Sequence, residues 1–328
     1  MDLVYGKEKT LFLLLLILAA PIWLGFIIAT HGTALIYIAF GFLFYLFAQS
    51  GLVAYLKGNA VAIGAGQFPD LCKRIRQCAQ RLDMTMPTAF LLHGNGAFNA
   101  FVTRFLGKDY IVLLSDVVDA LEDRPEALDF YIGHELGHIK RKHLVWGTVL
   151  LPVKWLPLLG AAYARACEST CDRHGLACCA KPEDACAGLA ALAAGGKRWK
   201  TLELHEYAAQ ASDHAGFWLS FHELCSDYPW LSKRMSALLQ LAQRQEPQMP
   251  RRNPLAYLLA LFVPRVGIAG GTGTLLVVVA LVGILAAIAV PAYQQYKVKA
   301  VATGRGVAPN GNGHSAVDGN PLDRQPGR

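Results

Sequence analysis

Apolar residues are spread unevenly along the chain, and their spacing divides it into segments of different kinds. Leu11 to Thr30 is an almost uncharged apolar run, and a second run extends from about Thr33 to Leu56 after the polar break His31–Gly32. Either is long enough to cross a bilayer core as a helix, which takes about 20 residues. A cleaved leader is not expected, because Ala19–Ala20 is followed by Pro21 and a second span comes at once. Residues 1–57 are therefore predicted to form a two-helix transmembrane hairpin. Lys7 and Lys9 before it, and Lys57, Lys73, Arg74 and Arg76 after it, place both ends in the cytoplasm.

Residues 58–245 carry the mixed pattern of a globular domain. Phe68, Leu71, Ile75, Cys78, Ala79 and Leu82 recur at helical spacing ahead of Pro87. Thr88 to His93 and Tyr110 to Leu114 read as short strands, with Gly94–Asn95–Gly96 as a turn between them. Pro125 opens a helix expected to run to about His143, with Glu126 near its start and Lys140, Arg141 and Lys142 near its end, as the helix dipole favours. Leu144 to Ala164 is apolar but holds Lys154, Pro152 and Pro157, so a buried or membrane-grazing segment is expected rather than a clean span. Helices follow from about Tyr163 to Ala180 and on to about Ala194. Residues 246–272 read as a linker, 273–300 as a further transmembrane helix, and 301–328 as a Gly/Asn/Pro-rich disordered tail. The fold class expected is mainly α with a small β-sheet, plus transmembrane helices.

Composition agrees with a membrane protein. Of 328 residues 54% are hydrophobic and only 17% charged, against about 25% charged in ordinary soluble chains. The net charge of +7 is scattered around apolar stretches, so attraction to anionic lipid explains it better than nucleic acid, and no nucleic-acid partner is expected. The eight cysteines do not have the spacing of a small disulfide scaffold and are read as mostly reduced thiols in the cytosol.

The chemistry is concentrated in Gly133–His134–Glu135–Leu136–Gly137–His138. On a helix, positions i and i+4 share a face, so His134 and His138 can present both imidazoles to one zinc ion, with Glu135 beside the attacking water as general base. Leu128, Ile132, Leu136 and Ile139 supply an apolar face for such a helix. A catalytic zinc needs a third protein ligand, and the downstream candidates are Glu168, Asp172, His174, His205, His214 and His222. Glu168 and Asp172 stand one turn apart on the next expected helix, a spacing that suits a ligand and a supporting carboxylate that orients a zinc-bound histidine.

These residues resemble a known family. His134–Glu135–Leu136–Gly137–His138 with Arg141–Lys142–His143, followed by Glu168–Ser169–Thr170–Cys171–Asp172, is similar to the membrane zinc metallopeptidases that include HtpX and the CAAX prenyl proteases, gluzincins with an HExxH and an ExxxD motif. Asn99–Ala100–Phe101, the segment Phe105 to Tyr110, and Tyr228–Pro229–Trp230–Leu231–Ser232–Lys233–Arg234 resemble further motifs of the family in the same order. The resemblance implies an α+β zincin-like domain, one Zn2+ per chain on His134, His138 and Glu168, Asp172 behind the ligands, and peptide or protein substrates, membrane proteins among them. Asn99, Ala100 and Phe101 would hold an extended substrate at a strand edge. Two departures stand out. The His138-to-Glu168 spacing is short for the HtpX branch, which places transmembrane helices there. Tyr228 replaces the family's commoner histidine, where its phenol could donate to the oxyanion or merely pack beside Pro229 and Trp230.

Leu275 to Tyr293 resembles the N-terminal helix of type IV pilins, but Thr274 and Gly270 occupy the positions of the processing site, so a plain membrane anchor is the simpler reading. Cys167, Cys171, Cys178 and Cys179 lack two separated Cys-x-x-Cys pairs and are read as small buried residues. The expected protein is a multi-pass zinc endopeptidase of the bacterial inner membrane, its active site facing the cytoplasm, in membrane-protein quality control or processing. A membrane assembly or scaffold protein for a pilus or secretion machine, with a structural metal, is the alternative, and Glu135 argues against it because a structural zinc needs no base.

Overall fold

The computed structural model describes residues 2–94, 99–263 and 293–299. Two compact units divide the chain, residues 1–269 and 270–328. In the second unit residues 293–299 are helical, and the pilin-like run and the tail lie outside the described residues.

The first unit begins with α1 (Gly6–Ala29) and α2 (Ala34–Asn59), both long and apolar enough to cross a membrane. The sheet follows: β1 (Val61–Ala62), α3 (Pro69–Arg81), β2 (Thr88–Leu92), β3 (Ala100–Phe105) and β4 (Lys108–Leu114), in spatial order β1-β2-β4-β3. Then come α4 (Ser115–Ala120), a short 3-10 turn at Pro125–Ala127, α5 (Leu128–Lys140), α6 (His143–Val149), α7 (Leu151–Lys154), α8 (Leu159–Cys178), α9 (Pro182–Arg198), α10 (Leu204–Ala209), α11 (Phe217–Cys225), α12 (Leu231–Ala242) and α13 (Pro254–Ala260). The chain is mainly helical with a small sheet, as expected.

Alternation along β4 explains how the sheet is held. Ile111 and Leu113 face the main core with α3, α5 and α9, while Tyr110, Val112 and Leu114 face Val53 and Leu56 near the end of α2. Covered on both faces, β4 needs apolar residues at successive positions rather than a polar side.

Three sequence expectations are corrected here. β2 and β4 pair in parallel, so no hairpin turn joins them; the strand β3 lies between them in sequence and pairs antiparallel with β4 through a tight turn at Leu106–Gly107. Both turn residues have positive φ (47° and 80°), the conformation a two-residue hairpin requires, and Leu-Gly does not advertise it as Asn-Gly would. The helix expected to reach His143 stops at Lys140, because Lys142 turns left-handed (φ 55°) and His143 starts a new helix. The segment Leu144 to Ala164, not expected to form a clean span, is divided among α6, α7 and the start of α8. Pro152 opens α7, Leu158 has a positive φ of 62°, and α8 starts at Leu159. Finally, the segment read as a linker contains α13, capped by the Asn253 side chain and packed on α11 through Ala256, Ala260 and Leu224.

The hairpin helices are not free of the domain. Leu15 and Ala19 of α1 pack with Leu150, Val153, Tyr163 and Cys167, and Trp23 Nε1 donates to the Val149 carbonyl at 2.9 Å. The outer sides of α1 and α2 are apolar and exposed, as at Phe44 and Phe47.

Helices α5 and α8 form the centre of the unit. Their close approach depends on glycine: a Cβ at Gly133 would lie 2.7 Å from the Cys178 side chain, and one at Gly175 would lie 2.6 Å from the Phe130 carbonyl oxygen. With that separation, side chains one turn away on the two helices can share one small polar pocket.

Candidate metal centre

Three helices supply the pocket. From α5 come His134, Glu135 and His138; from α8, Glu168 and Asp172; from α12, Arg234. Glu168 is one-turn N-terminal to Asp172, and the two carboxylates address the two ends of one imidazole. His134 Nε2 lies 3.3 Å from Glu168 Oε2, and its Nδ1 lies 3.0 Å from Asp172 Oδ1. His138 Nε2 lies 3.5 Å from the other Glu168 oxygen. Both Nε2 atoms thus converge on one carboxylate.

Behind the carboxylates, Arg234 holds Asp172 with a fork: Nε donates to Oδ2 at 2.8 Å and Nη2 to Oδ1 at 2.6 Å. Such a bidentate pair fixes orientation as well as charge. Burial works against the Asp172 carboxylate, but Arg234 and His134 overcome it and hold its pKa below the usual carboxylate range. On the other ligand, His138 Nδ1 meets His143 Nδ1 at 3.0 Å.

Electrostatics follow from these contacts. Burial opposes charge on His134, yet Asp172 and Glu168 more than offset it and push its pKa up to about 10. His138 lacks such a surplus of carboxylates, and burial brings it down to about 3. Burial also pushes Glu135 up to about 8, with Glu168 adding to the effect and His134 opposing it. Glu168 and Asp172 thus keep their charge beside two imidazoles and one guanidinium, while burial holds Glu135 toward its neutral form.

The donor set fits zinc. Two imidazole nitrogens and a carboxylate can supply the ligands of a catalytic site, and each imidazole has its second nitrogen engaged by another group. Cys171 Sγ also lies within 4.8 Å of ligand atoms of His134 and His138. Burial raises that thiol well above its ordinary pKa, so it is the poorer donor, since a thiolate is what binds metal.

Residues 65–154 match the model of peptidase family M48. That stretch runs from before α3 to α7 and includes His134, Glu135 and His138, ending before Glu168. The chain is 27% identical over 143 residues to a protein named protease HtpX homolog from Thermodesulfovibrio yellowstonii, covering 43% of this chain and 50% of that protein. It is also 27% identical over 154 residues to plastoglobule-localized metallopeptidase 48, chloroplastic, from Arabidopsis thaliana, covering 42% of this chain and 44% of that protein. The chain spans about half the length of these curated relatives. No solved structure matches. These likenesses support a metallopeptidase of the M48 kind; they give no support to the CAAX protease or pilin resemblances.

The remaining expected site residues lie nearby. β3 is an edge strand, paired only with β4 among the described residues. Ala100 is buried, and Phe101 packs against the cluster under α2. Asn99 accepts from the Ala100 N–H through Oδ1 at 2.9 Å, and its carbonyl accepts from Leu114. Tyr228 stands in the loop before α12, 53% exposed. Burial, then Glu168, Asp227 and Glu135, raise its pKa above that of an ordinary phenol, so it remains a donor at neutral pH. Of the other candidate third ligands, His174 is buried and bonds the Thr170 carbonyl at 2.8 Å, and His214 bonds Ser232 at 3.1 Å. Neither joins the cluster.

Sequence reasoning assigned no role to Arg234, although it ends the segment Tyr228–Arg234. An arginine beside Lys233 in the first turn of a helix reads as a solvated charge, and only the approach of α12 to α8 reveals its partner.

Proposed function

We propose that this chain is a membrane-bound zinc endopeptidase, with one Zn2+ held by His134, His138 and Glu168. The convergence of both Nε2 atoms on Glu168 carries the proposal, with Glu135 buried on the same helix. A bound zinc would act as a Lewis acid on the scissile carbonyl and acidify water. Glu135 accepts the proton of the attacking water and returns it to the leaving nitrogen. Asp172, backed by Arg234, accepts the Nδ1 proton of His134 and leaves Nε2 free to ligate. The open edge of β3, from Asn99 to Phe101, receives an extended peptide as an added strand while its inner face packs. A scaffold with a structural metal would have no use for Glu135.

Purified full-length protein should carry about one zinc per chain and degrade an unfolded protein substrate. Stripping the metal with a chelator should stop degradation, and Glu168→Ala should lose zinc. Zinc binding without any hydrolysis would favour the scaffold, and undiminished zinc in Glu168→Ala would remove that residue as a ligand.

Tyr228 supplies an oxyanion donor on this reading. Tyr228→Phe should lower turnover by about 100- to 1,000-fold with zinc content unchanged. A loss within about threefold, well short of a donor's effect, would make Tyr228 a packing residue.

The proposed location is a bacterial inner membrane, with the site on the cytoplasmic side. The start of α1 and the end of α2 both contact the domain, which suits a hairpin whose two ends share one side. A reporter fused after Gln245 should give a cytoplasmic signal; an external one would overturn the orientation.

A further inference from the structure

Glu8 is the one acidic side chain in α1, and it is buried at 1% exposure. Its Oε1 accepts from Arg141, with Nε at 3.0 Å and Nη2 at 2.9 Å, and lies 3.3 Å from His143 Nε2. The short segment before it is clamped to α8. Tyr5 N–H donates to Thr170 Oγ1 at 3.0 Å, and Arg173 donates to the Asp2 carbonyl at 3.1 Å. The kink at Lys142 faces His143 back toward the metal helix, so its other nitrogen lies 3.0 Å from His138 Nδ1. The Cys171 thiol sits 3.8 Å from the same His143 nitrogen.

We propose that Glu8 and His143 are positioning residues for the second metal ligand, joined in the series Glu8–His143–His138. This rests on the reading of His138 as a zinc ligand. The proton arrangement is then forced. A His138 that ligates through Nε2 carries its proton on Nδ1 and donates it to His143 Nδ1. His143 must then hold its own proton on Nε2, where Glu8 Oε1 accepts it. The opposite arrangement would put the His138 proton on Nε2, aimed at Glu168, and block ligation. Each zinc-binding imidazole is thus oriented by a carboxylate, directly by Asp172 for His134 and through one further imidazole for His138. Partners of this kind commonly set metal affinity by about 10- to 100-fold. The difference is their origin, since Asp172 belongs to the same helix as Glu168 while Glu8 comes from the first apolar helix.

Arg141 does not substitute for His143, because it meets Glu8 from the side and touches neither ligand. The group Glu8, His143 and Cys167 also has metal-site spacing, but the Arg141 guanidinium on Glu8 disfavours a second cation there.

The test is zinc affinity of the full-length protein in detergent, measured by competition with a chromogenic chelator, with melting temperature as a folding control. His143→Phe should raise the zinc Kd about 10- to 100-fold, and the near-isosteric Glu8→Gln about tenfold. Because Glu8 acts through His143, the double variant should bind no more weakly than His143→Phe alone, a non-additivity that a general loss of stability would not produce. The cobalt-substituted protein should show a shifted visible spectrum in His143→Phe. Zinc Kd within about twofold of wild type in Glu8→Gln, against the tenfold expected, or additive effects in the double variant, would overturn the inference and leave the zinc site standing. If His143→Phe does not fold, the Glu8→Gln value decides. Wild type without zinc would sink the zinc reading and this inference together.

Discussion

Glu135→Gln should retain its zinc and its fold and lose about 100- to 10,000-fold in turnover, the usual contribution of a positioned general base. The amide has the shape of the carboxyl and cannot accept the water proton. Glu135 is 8% exposed, and burial raises its pKa to about 8 and so already favours a neutral side chain there, which the amide supplies. Stability should hold or rise slightly. Metal content, melting temperature and degradation of one unfolded substrate, measured side by side, check all three statements. Full turnover in this variant would remove Glu135 from the mechanism.

The second large effect is expected at Arg234. Arg234→Met leaves the Asp172 carboxylate, 5% exposed, without its guanidinium. Breaking one side of a buried ion pair costs about 3–5 kcal/mol, because the orphaned charge stays in the interior. Adding Asp172→Asn should recover much of that loss, since no charge is then stranded. Thermal denaturation of the single and double variants measures the difference. A loss under about 1 kcal/mol would be that of a solvent-screened surface pair and would contradict the burial. The pair also has a pH signature. Asp172 has a folded pKa below its unfolded value of about 3.9, so its stabilisation is complete above that value. It is lost as pH falls through the lower folded value, and Asp172→Asn should flatten this acid limb.

Long or periodic features were readable in the sequence. The apolar runs that become α1 and α2, the helix of α3 and the i, i+4 histidines of α5 each depend on local spacing, and the structure has them in place. Pairing of Glu168 with the histidines was anticipated from its position on the following helix and from resemblance. What escaped depends on contacts between distant segments. The extent of β3 and its pairing with β4 do not show in the sequence, because its burial does not alternate and its turn, Leu106–Gly107, lacks a hairpin signature. The kink at Lys142 was hidden among basic residues suited to a helix end. In the sequence His143 reads only as part of a motif, since nothing in its neighbourhood names Glu8, 135 positions upstream, as a partner. Arg234 is the same case across α8 and α12.

The packing of α1 bears on how the chain can be divided. A cut at residue 57 would separate the two long apolar helices from the rest, but it would strip Leu15 and Ala19 from Leu150, Val153, Tyr163 and Cys167. It would also remove Val53 and Leu56 from beneath β4. The first helix is thus part of the same packed unit as α7 and α8, and a helix of equal length and hydropathy without those contacts would not replace it. Substitutions in α1 bear directly on α7 and α8 through these contacts, so the two N-terminal helices and the rest of the unit are one packed body rather than separable modules.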